Sequence, residues 1–324
     1  MHLVCRLLQL FILGFAYCSS SIADTSPKNH FAEWFQTFFT ASINSKSTAT
    51  YQPTFTKQNP SSSISYIVGI HPLHNPKRLF EVYAPLIDLF KTAVPEVTFI
   101  LESSRNYDEF DKKLYAGHFD FAMPNPYQTI NAMKHGYHVF AKMGDDQDFR
   151  GIILVRADSN INQLSDLKGK KVAYPAPTAL AATLLPQYYF QTHGLNTNTD
   201  IENLYVGSQE SVIMNVLNRK VEAGATWTLP WNAFLEKEPQ LARQLKVGWE
   251  TESLINNSWM ARENMSPEII EKLNTVLLNL PKTHEGQSIL ATIPISKFEA
   301  ANDDTYDPIK MFISKFSQTV RPLN

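Results

Sequence analysis

Several polar residues stand where apolar runs end, and their types suit capture of a small ligand better than covalent chemistry. His71 and Pro72 follow the run Tyr66–Ile70. Asn125 and Tyr127 lie in the turn Pro124-Asn-Pro-Tyr127, just past Phe119–Met123. An imidazole at a strand end can donate to a ligand. An amide and a phenol in a Pro-bracketed turn can orient one, although Asn is also an ordinary turn residue. The stretch Thr178, Ala179, Leu180 and Ala181 opens a helical pattern, and a helix start offers unpaired amides and a partial positive charge that hold an anion through backbone alone. Thr178 would equally serve as an N-cap, and Ser208, with Glu210 in the turn after it, has capping as its default reading. Trp227, between Thr226 and Thr228, presents a broad stacking face and one N–H, which suits a ring or a methylated amine. Trp231 is as readily a packing residue.

Catalytic and metal chemistry find less support. The chain shows no Gly-rich phosphate loop, no G-x-S-x-G elbow and no H-E-x-x-H helix. The paired Tyr188 and Tyr189 read as packing inside an amphipathic helix, because a hard-metal site needs several oxygen ligands and no matching set accompanies them. His135 and His138 flank Gly136 without an identifiable third ligand and are expected to decorate a loop. No cofactor and no metal are expected.

Composition narrows the class further. The 324 residues are 44% hydrophobic and 19% charged, with 12 Gly and 19 Pro, an ordinary globular mixture that argues against disorder, collagen and coiled coil. A formal net charge of −2 supplies no basic field for a nucleic-acid backbone, so nucleic acid is not an expected partner. Residues 1–23 read as an export signal: Arg6, the apolar run Leu7–Tyr17, then small residues up to Ala23. The run is shorter than the roughly 20 residues a spanning helix needs. Both cysteines, Cys5 and Cys18, fall inside this signal, leaving a mature chain without thiols, disulfides or Cys-ligated metal. A lipid anchor on Cys18 is disfavoured by the bulky Phe15 and Tyr17 before it. The expected location is the periplasm.

The pattern along the chain defines the elements that would position these residues. Residues 24–63 are rich in Ser, Thr, Asn and Gln and read as a linker. Within it Phe31, Trp34, Phe35, Phe38 and Phe39 fall on one helical face, either a docking helix for a partner or the membrane surface, or a stripe that packs back on the folded body. From Ser65 onward, buried-strand runs (66–70, 97–101, 119–123, 151–155, 170–174, 204–206, 221–225, 245–249 and 259–261) alternate with helical patterns (79–90, 179–192, 208–218 and 267–280). Gly194 is placed to end the second of these helices. The alternation predicts an α/β protein of two lobes, each a mainly parallel sheet flanked by helices. Lobe 1 would comprise 64–150 plus 253–324 and lobe 2 would comprise 151–252. Two crossings, near 145–155 and 245–258, would form a two-strand hinge whose lobes close on a ligand where strand ends and helix starts converge.

One ordered set of motifs carries a family resemblance. His71-Pro72, Tyr83-Ala-Pro-Leu-Ile-Asp88, Phe119-Asp-Phe-Ala-Met-Pro-Asn-Pro-Tyr127, Leu164-Ser-Asp-Leu-Lys-Gly-Lys-Lys-Val-Ala-Tyr174 and Pro186-Gln-Tyr-Tyr-Phe190 together resemble the phosphate/phosphite/phosphonate solute-binding proteins of ABC importers over residues 65–280. The resemblance implies a type II periplasmic-binding fold, no catalysis, and capture of a small anion for delivery to a membrane permease. A monomer is expected. It also implies departures at the ligand site. The hydroxyl-rich helix start of that family is Thr178-Ala-Leu-Ala-Ala182 here, a family histidine corresponds to Ser208, and an acidic residue near the last cleft strand corresponds to Asn257.

Two other functions compete. The same fold could present its closed form to a membrane kinase or another regulator, for which the aromatic segment 31–39 is the motive. Thiamine-pyrimidine synthases also share the fold, but their cysteine-rich iron site has no counterpart in a mature chain without cysteine.

Overall fold

The computed structural model describes residues 64–323. The export signal 1–23 and the linker 24–63 with its aromatic stripe lie outside the described residues. Strands β1 (Ser65–Ile70), β2 (Thr98–Ser103) and β3 (Phe121–Met123) pair in parallel, joined by helices α1 (Pro76–Ala93) and α2 (Tyr107–Tyr115). Helix α1 forms because Asn75 caps it, accepting from the Arg78 amide at 3.1 Å, with Pro76 preset for the first turn. It buries Leu79, Val82, Tyr83, Leu86, Ile87 and Phe90 on one face against the sheet.

The first sheet continues with β4 (Tyr137–Met143), β10 (Ser258–Arg262) and β11 (Phe298–Ala300), in the order β11-β4-β10-β3-β1-β2. These added strands run antiparallel, so the sheet is mixed where the alternation pattern implied mainly parallel pairing. The second sheet, order β7-β6-β8-β5-β9, has the same character. Strand β6 (Lys170–Tyr174) pairs in parallel with β7 (Ile201–Tyr205) and β8 (Ala223–Trp227), whereas β5 (Arg150–Arg156) is antiparallel to β8 and to β9 (Leu245–Ser253). The strands flanking the two chain passages between the sheets (143–150 and 253–258), β4 and β10 in the first sheet and β5 and β9 in the second, all take part in antiparallel pairs, and β11 adds a further antiparallel edge to β4. A strand entered from the other sheet need not follow the right-handed crossover that makes neighbours parallel.

Strand β5 shows why a continuous apolar run belongs in such a sheet. Ile152 and Leu154 pack on one face with Val212, Ile213 and Trp231, while Ile153 and Val155 pack on the other with Phe190 and Leu195. The helices responsible are α4 (Leu185–Thr192), α5 (Gln209–Leu217) and α6 (Thr228–Lys237), whereas α3 (Pro126–Met133), α7 (Pro267–Asn279), α8 (His284–Thr292) and α9 (Asp307–Thr319) pack in the core of the first sheet. Helix α4 ends as Gly194 anticipates. That residue takes φ +84°, and the Leu195 amide reaches back to the Phe190 carbonyl at 3.0 Å.

Among the described residues no helix is long and apolar enough to cross a membrane. Tyr188 packs edge-on against Phe312, and Tyr189 stacks on His193. His135 stacks on Tyr115. His138 lies on strand β4 instead of a loop, its Nδ1 2.8 Å from Asp303. Among the described residues no group of three or more His, Cys, Asp or Glu could hold a metal ion.

Candidate functional site

The carboxyl ends of β1, β3, β6 and β8 lead directly into His71, Asn125, the turn 175–179 and α6. Several bonds join elements of the first sheet to elements of the second at this level. Asn125 Nδ2 donates to the Thr178 carbonyl at 3.3 Å, and His74 Nδ1 stands 3.8 Å from Glu210 Oε1. Burial would raise the Glu210 carboxyl, but hydrogen bonding and charge from His74 outweigh it and hold the group below its ordinary range. Burial pushes the Tyr107 phenol upward, and a hydrogen bond with Gln209 opposes the push.

The turn after β6 is the chemically distinctive part. Ala179 occupies the cap position of the turn Leu180–Leu184, with no side chain capping it, and the turn is wound as a π-helix: the Leu184 amide reaches the Ala179 carbonyl at 3.2 Å. Thr178 is therefore not the N-cap. It contributes its carbonyl to Asn125, and the structural hydroxyl is that of Thr183, which donates to the Ala176 carbonyl at 2.7 Å. The first amides, of Leu180, Ala181 and Ala182, have no preceding turn to accept from them, and all three residues are buried. Aligned amides without acceptors in a water-poor place form a receptor for negative charge.

His71 takes a different part from the donor expected of it. Its backbone amide and its Nδ1 both meet the Met123 carbonyl, at 3.1 and 3.0 Å. A carbonyl only accepts, so Nδ1 carries the proton and Nε2 is left as an acceptor. Burial drives the imidazole down to about 4, the Met123 hydrogen bond opposing only part of that shift, so the ring stays neutral.

The remaining expected residues divide between framework and site. Asn125 caps α3 in a reciprocal box with Gln128, so its oxygen is committed to the helix and its nitrogen to Thr178. Tyr127 follows in the first turn, buried; desolvation raises its phenol, and Asn131 hydrogen bonds against the rise. Ser208 is a cap, accepting from the Ser211 amide at 3.1 Å. Trp227 is 3% exposed with its ring 5.4 Å from Phe149, and Trp231 stacks on Phe234, so both rings are packed instead of standing open for a solute. Asn257, fully buried before β10, donates through Nδ2 to Met143 Sδ at 3.4 Å, and its Oδ1 has no partner among the described residues.

Residues 68–306 match the model of a family described as the phosphonate periplasmic substrate-binding protein of ABC transporters. The chain belongs to this family. It is 26% identical over 221 residues to a phosphate-import protein of Mycolicibacterium smegmatis, covering 63% of this chain and 68% of that protein. It is 24% identical to a phosphonates-binding periplasmic protein of Escherichia coli, over 49% of this chain and 48% of that one. Among solved structures, a binding protein of an ABC phosphonate transporter from Pseudomonas aeruginosa superposes with a TM-score of 0.72 at 20% identity, covering 79% of this chain and 88% of that one. PhnD1 from Prochlorococcus marinus, in complex with methylphosphonate, gives 0.71 at 20% identity, covering 78% and 98%. The fold of these structures is the two-sheet type II periplasmic-binding fold.

Within this family member the geometry adds polar groups that sequence reasoning did not select. Gln209, the residue after Ser208, turns inward and accepts from Thr226 Oγ1 at 2.9 Å, both side chains buried. Gln128 Nε2 donates to Asp111 Oδ1 at 2.6 Å. Burial nonetheless raises the Asp111 carboxyl to about 6. The available signal was an amide residue in the first turn of a helix that already had its cap, at 128 after Asn125 and at 209 after Ser208.

Proposed function

We propose that this protein is an ABC importer's periplasmic receptor for a small tetrahedral oxyanion of the phosphonate, phosphite or phosphate class. It acts by binding without catalysis, as a monomer, and passes its ligand to a membrane permease. Export by residues 1–23, and lobes formed by 64–150 plus 253–324 and by 151–252, belong to this reading. One observation carries it: a buried first helical turn, Leu180 to Ala182, whose amides have no acceptor among the described residues and which lies beside the Asn125–Thr178 bond. A dense, fixed negative charge satisfies all of these donors at once. His71 adds an acceptor to the set. It suits a ligand that still carries one P–OH group, and the buried Tyr127 and Asn257 would complete a neutral polar lining. The relatives named for phosphate and phosphonates, and the methylphosphonate bound by the Prochlorococcus protein, support the same class of ligand.

Titration of the purified protein, followed by intrinsic fluorescence and native mass spectrometry, tests this reading. Methylphosphonate, phosphite or phosphate should saturate one site per chain, with sulfate and uncharged sugars weaker. No saturable binding of any of the three anions at millimolar concentration would overturn it.

A further inference from the structure

The turn that offers the free amides is held from a third direction, by the end of the chain. Helix α9 lies on the first sheet's core through Ile309, Phe312 and Phe316, and Tyr306 just before it donates to the Asn256 carbonyl at 2.6 Å. Past the helix the chain reaches the elements of the second sheet. The Val320 carbonyl accepts from Asn198 Nδ2 at 2.6 Å, and Arg321 donates through Nε to Gln187 Oε1 at 3.2 Å and through Nη2 to the Pro177 carbonyl at 2.8 Å. The guanidinium also lies 5.4 Å from the centre of the Phe316 ring, which restricts where it can point. Its charge acts on the phenols of both Tyr127 and Tyr174, lowering each against the upward push of burial.

Two consecutive carbonyls, Pro177 and Thr178, are therefore gripped by side chains carried on the first-sheet elements, one by Arg321 and one by Asn125. Holding two successive carbonyls fixes two successive peptide planes. The next residues are Ala179 at the cap and the free amides of Leu180 to Ala182. The π-turn has no side-chain cap, and its own side-chain tie is the Thr183–Ala176 bond, so an external tie matters more here than at a capped helix. We propose that Arg321 is a positioning residue of the ligand site, aiming the 180–182 amides through the Pro177 carbonyl. The role rests on the oxyanion reading given above and extends it to a residue outside the matched family region, which ends at 306.

The experiment uses the full exported chain with Arg321→Gln and Arg321→Lys. Hydrogen exchange of the ligand-free protein reads positioning without reference to any ligand: in Arg321→Gln, the amides of 178–183 should exchange about tenfold faster while those of β1 and β6 are unchanged. Methylphosphonate affinity should fall about tenfold for the same variant, as for loss of a charged hydrogen bond, with Arg321→Lys in between because one donor can still reach Pro177. Unchanged exchange at 178–183 overturns the proposal. So does faster exchange spread over α9 and the second sheet with a parallel fall in melting temperature, which would make Arg321 a general brace. If the parent protein binds none of the three oxyanions, the proposed ligand class fails, and the exchange result still decides the role of Arg321.

Discussion

Asn125 and Thr178, 53 residues apart and on elements of different sheets, share a hydrogen bond of 3.3 Å from the side-chain amide of one to the backbone carbonyl of the other. The same Asn125 side chain caps α3 through its oxygen. One residue thus performs two separable tasks, helix initiation and a tie across the candidate site. Asn125→Asp keeps the capping oxygen and removes the donor to Thr178, so thermal stability should stay near that of the parent while ligand affinity falls several-fold. Asn125→Ala removes both and should in addition cost about 1 kcal/mol of stability. Urea unfolding together with ligand titration of the two variants separates the tasks. Equal affinity for parent and Asn125→Asp would show that the tie is idle.

His71 makes stability depend on pH with a definite sign. Its folded value of about 4 lies below the 6.5 of an exposed imidazole, because burial disfavours the charged ring. Between those values the unfolded chain binds the extra proton, so stability is complete above pH 6.5 and is lost as pH falls toward 4, by up to about 3 kcal/mol. Denaturant midpoints at pH 7 and pH 4.5 should therefore lie closer together in His71→Gln than in the parent. Identical pH slopes would mean that the ring is not held neutral in the folded state.

How far these features could be read beforehand depends on the range of the interaction responsible. Strands β1 and β5, strand β6 after its Gly169 turn, and helix α5 were legible because apolar runs, a glycine turn and a Ser208 cap are local signals. Strand β4 was not. His138 and Lys142 interrupt its pattern, and Lys142 tolerates burial only because Asp146 and Glu299, at 2.9 and 2.6 Å, reach it from elsewhere in the chain. A helix start near 178–181 was legible, but not that it begins at Leu180 with the Ala179 amide bonded to the Ala176 carbonyl, nor the π-winding and the bare cap at Ala179. The direction of His71 was hidden for a similar reason, since its tautomer is set by a carbonyl 52 residues away. Trp227 reads as an open stacking surface until Phe149 is brought against it by the fold.

Asp120, inside the motif that carried the family resemblance, is a framework residue. Its oxygens accept from the Ile67 amide at 2.8 Å and from Arg262 Nη2 at 2.7 Å, joining β1, β3 and β10 at the ends of β1 and β3 remote from His71 and Asn125. Asp120→Ala leaves a strand amide and a guanidinium without their acceptor and should cost about 3 kcal/mol in unfolding free energy. Asp120→Asn, which can still accept from one of them, should cost less. Ligand affinity measured well below the melting temperature should not change in Asp120→Asn, and a large loss there would place Asp120 in the site.

Gly151 links strand β5 to the amide turn through close approach. A Cβ on this residue would stand 2.7 Å from Pro186 Cγ and 2.8 Å from the Ala181 carbonyl oxygen. Both atoms belong to the helix that begins with the free amides, and a backbone oxygen cannot rotate away as a flexible side-chain tip would. Gly151→Ala should therefore push the 180–186 segment off its seat, an overpacking effect of about 1–3 kcal/mol, and weaken oxyanion binding about tenfold. Gly248→Ala on the neighbouring strand β9 is the matched comparison, since its nearest atom, the Ile153 carbonyl oxygen, is at an ordinary 3.6 Å. The expected pattern is a loss of affinity in Gly151→Ala with Gly248→Ala close to the parent. Equal affinities in both variants would mean that the turn yields without moving its amides, and that its position is less tightly set than the hydrogen bonds from Asn125 and Arg321 imply.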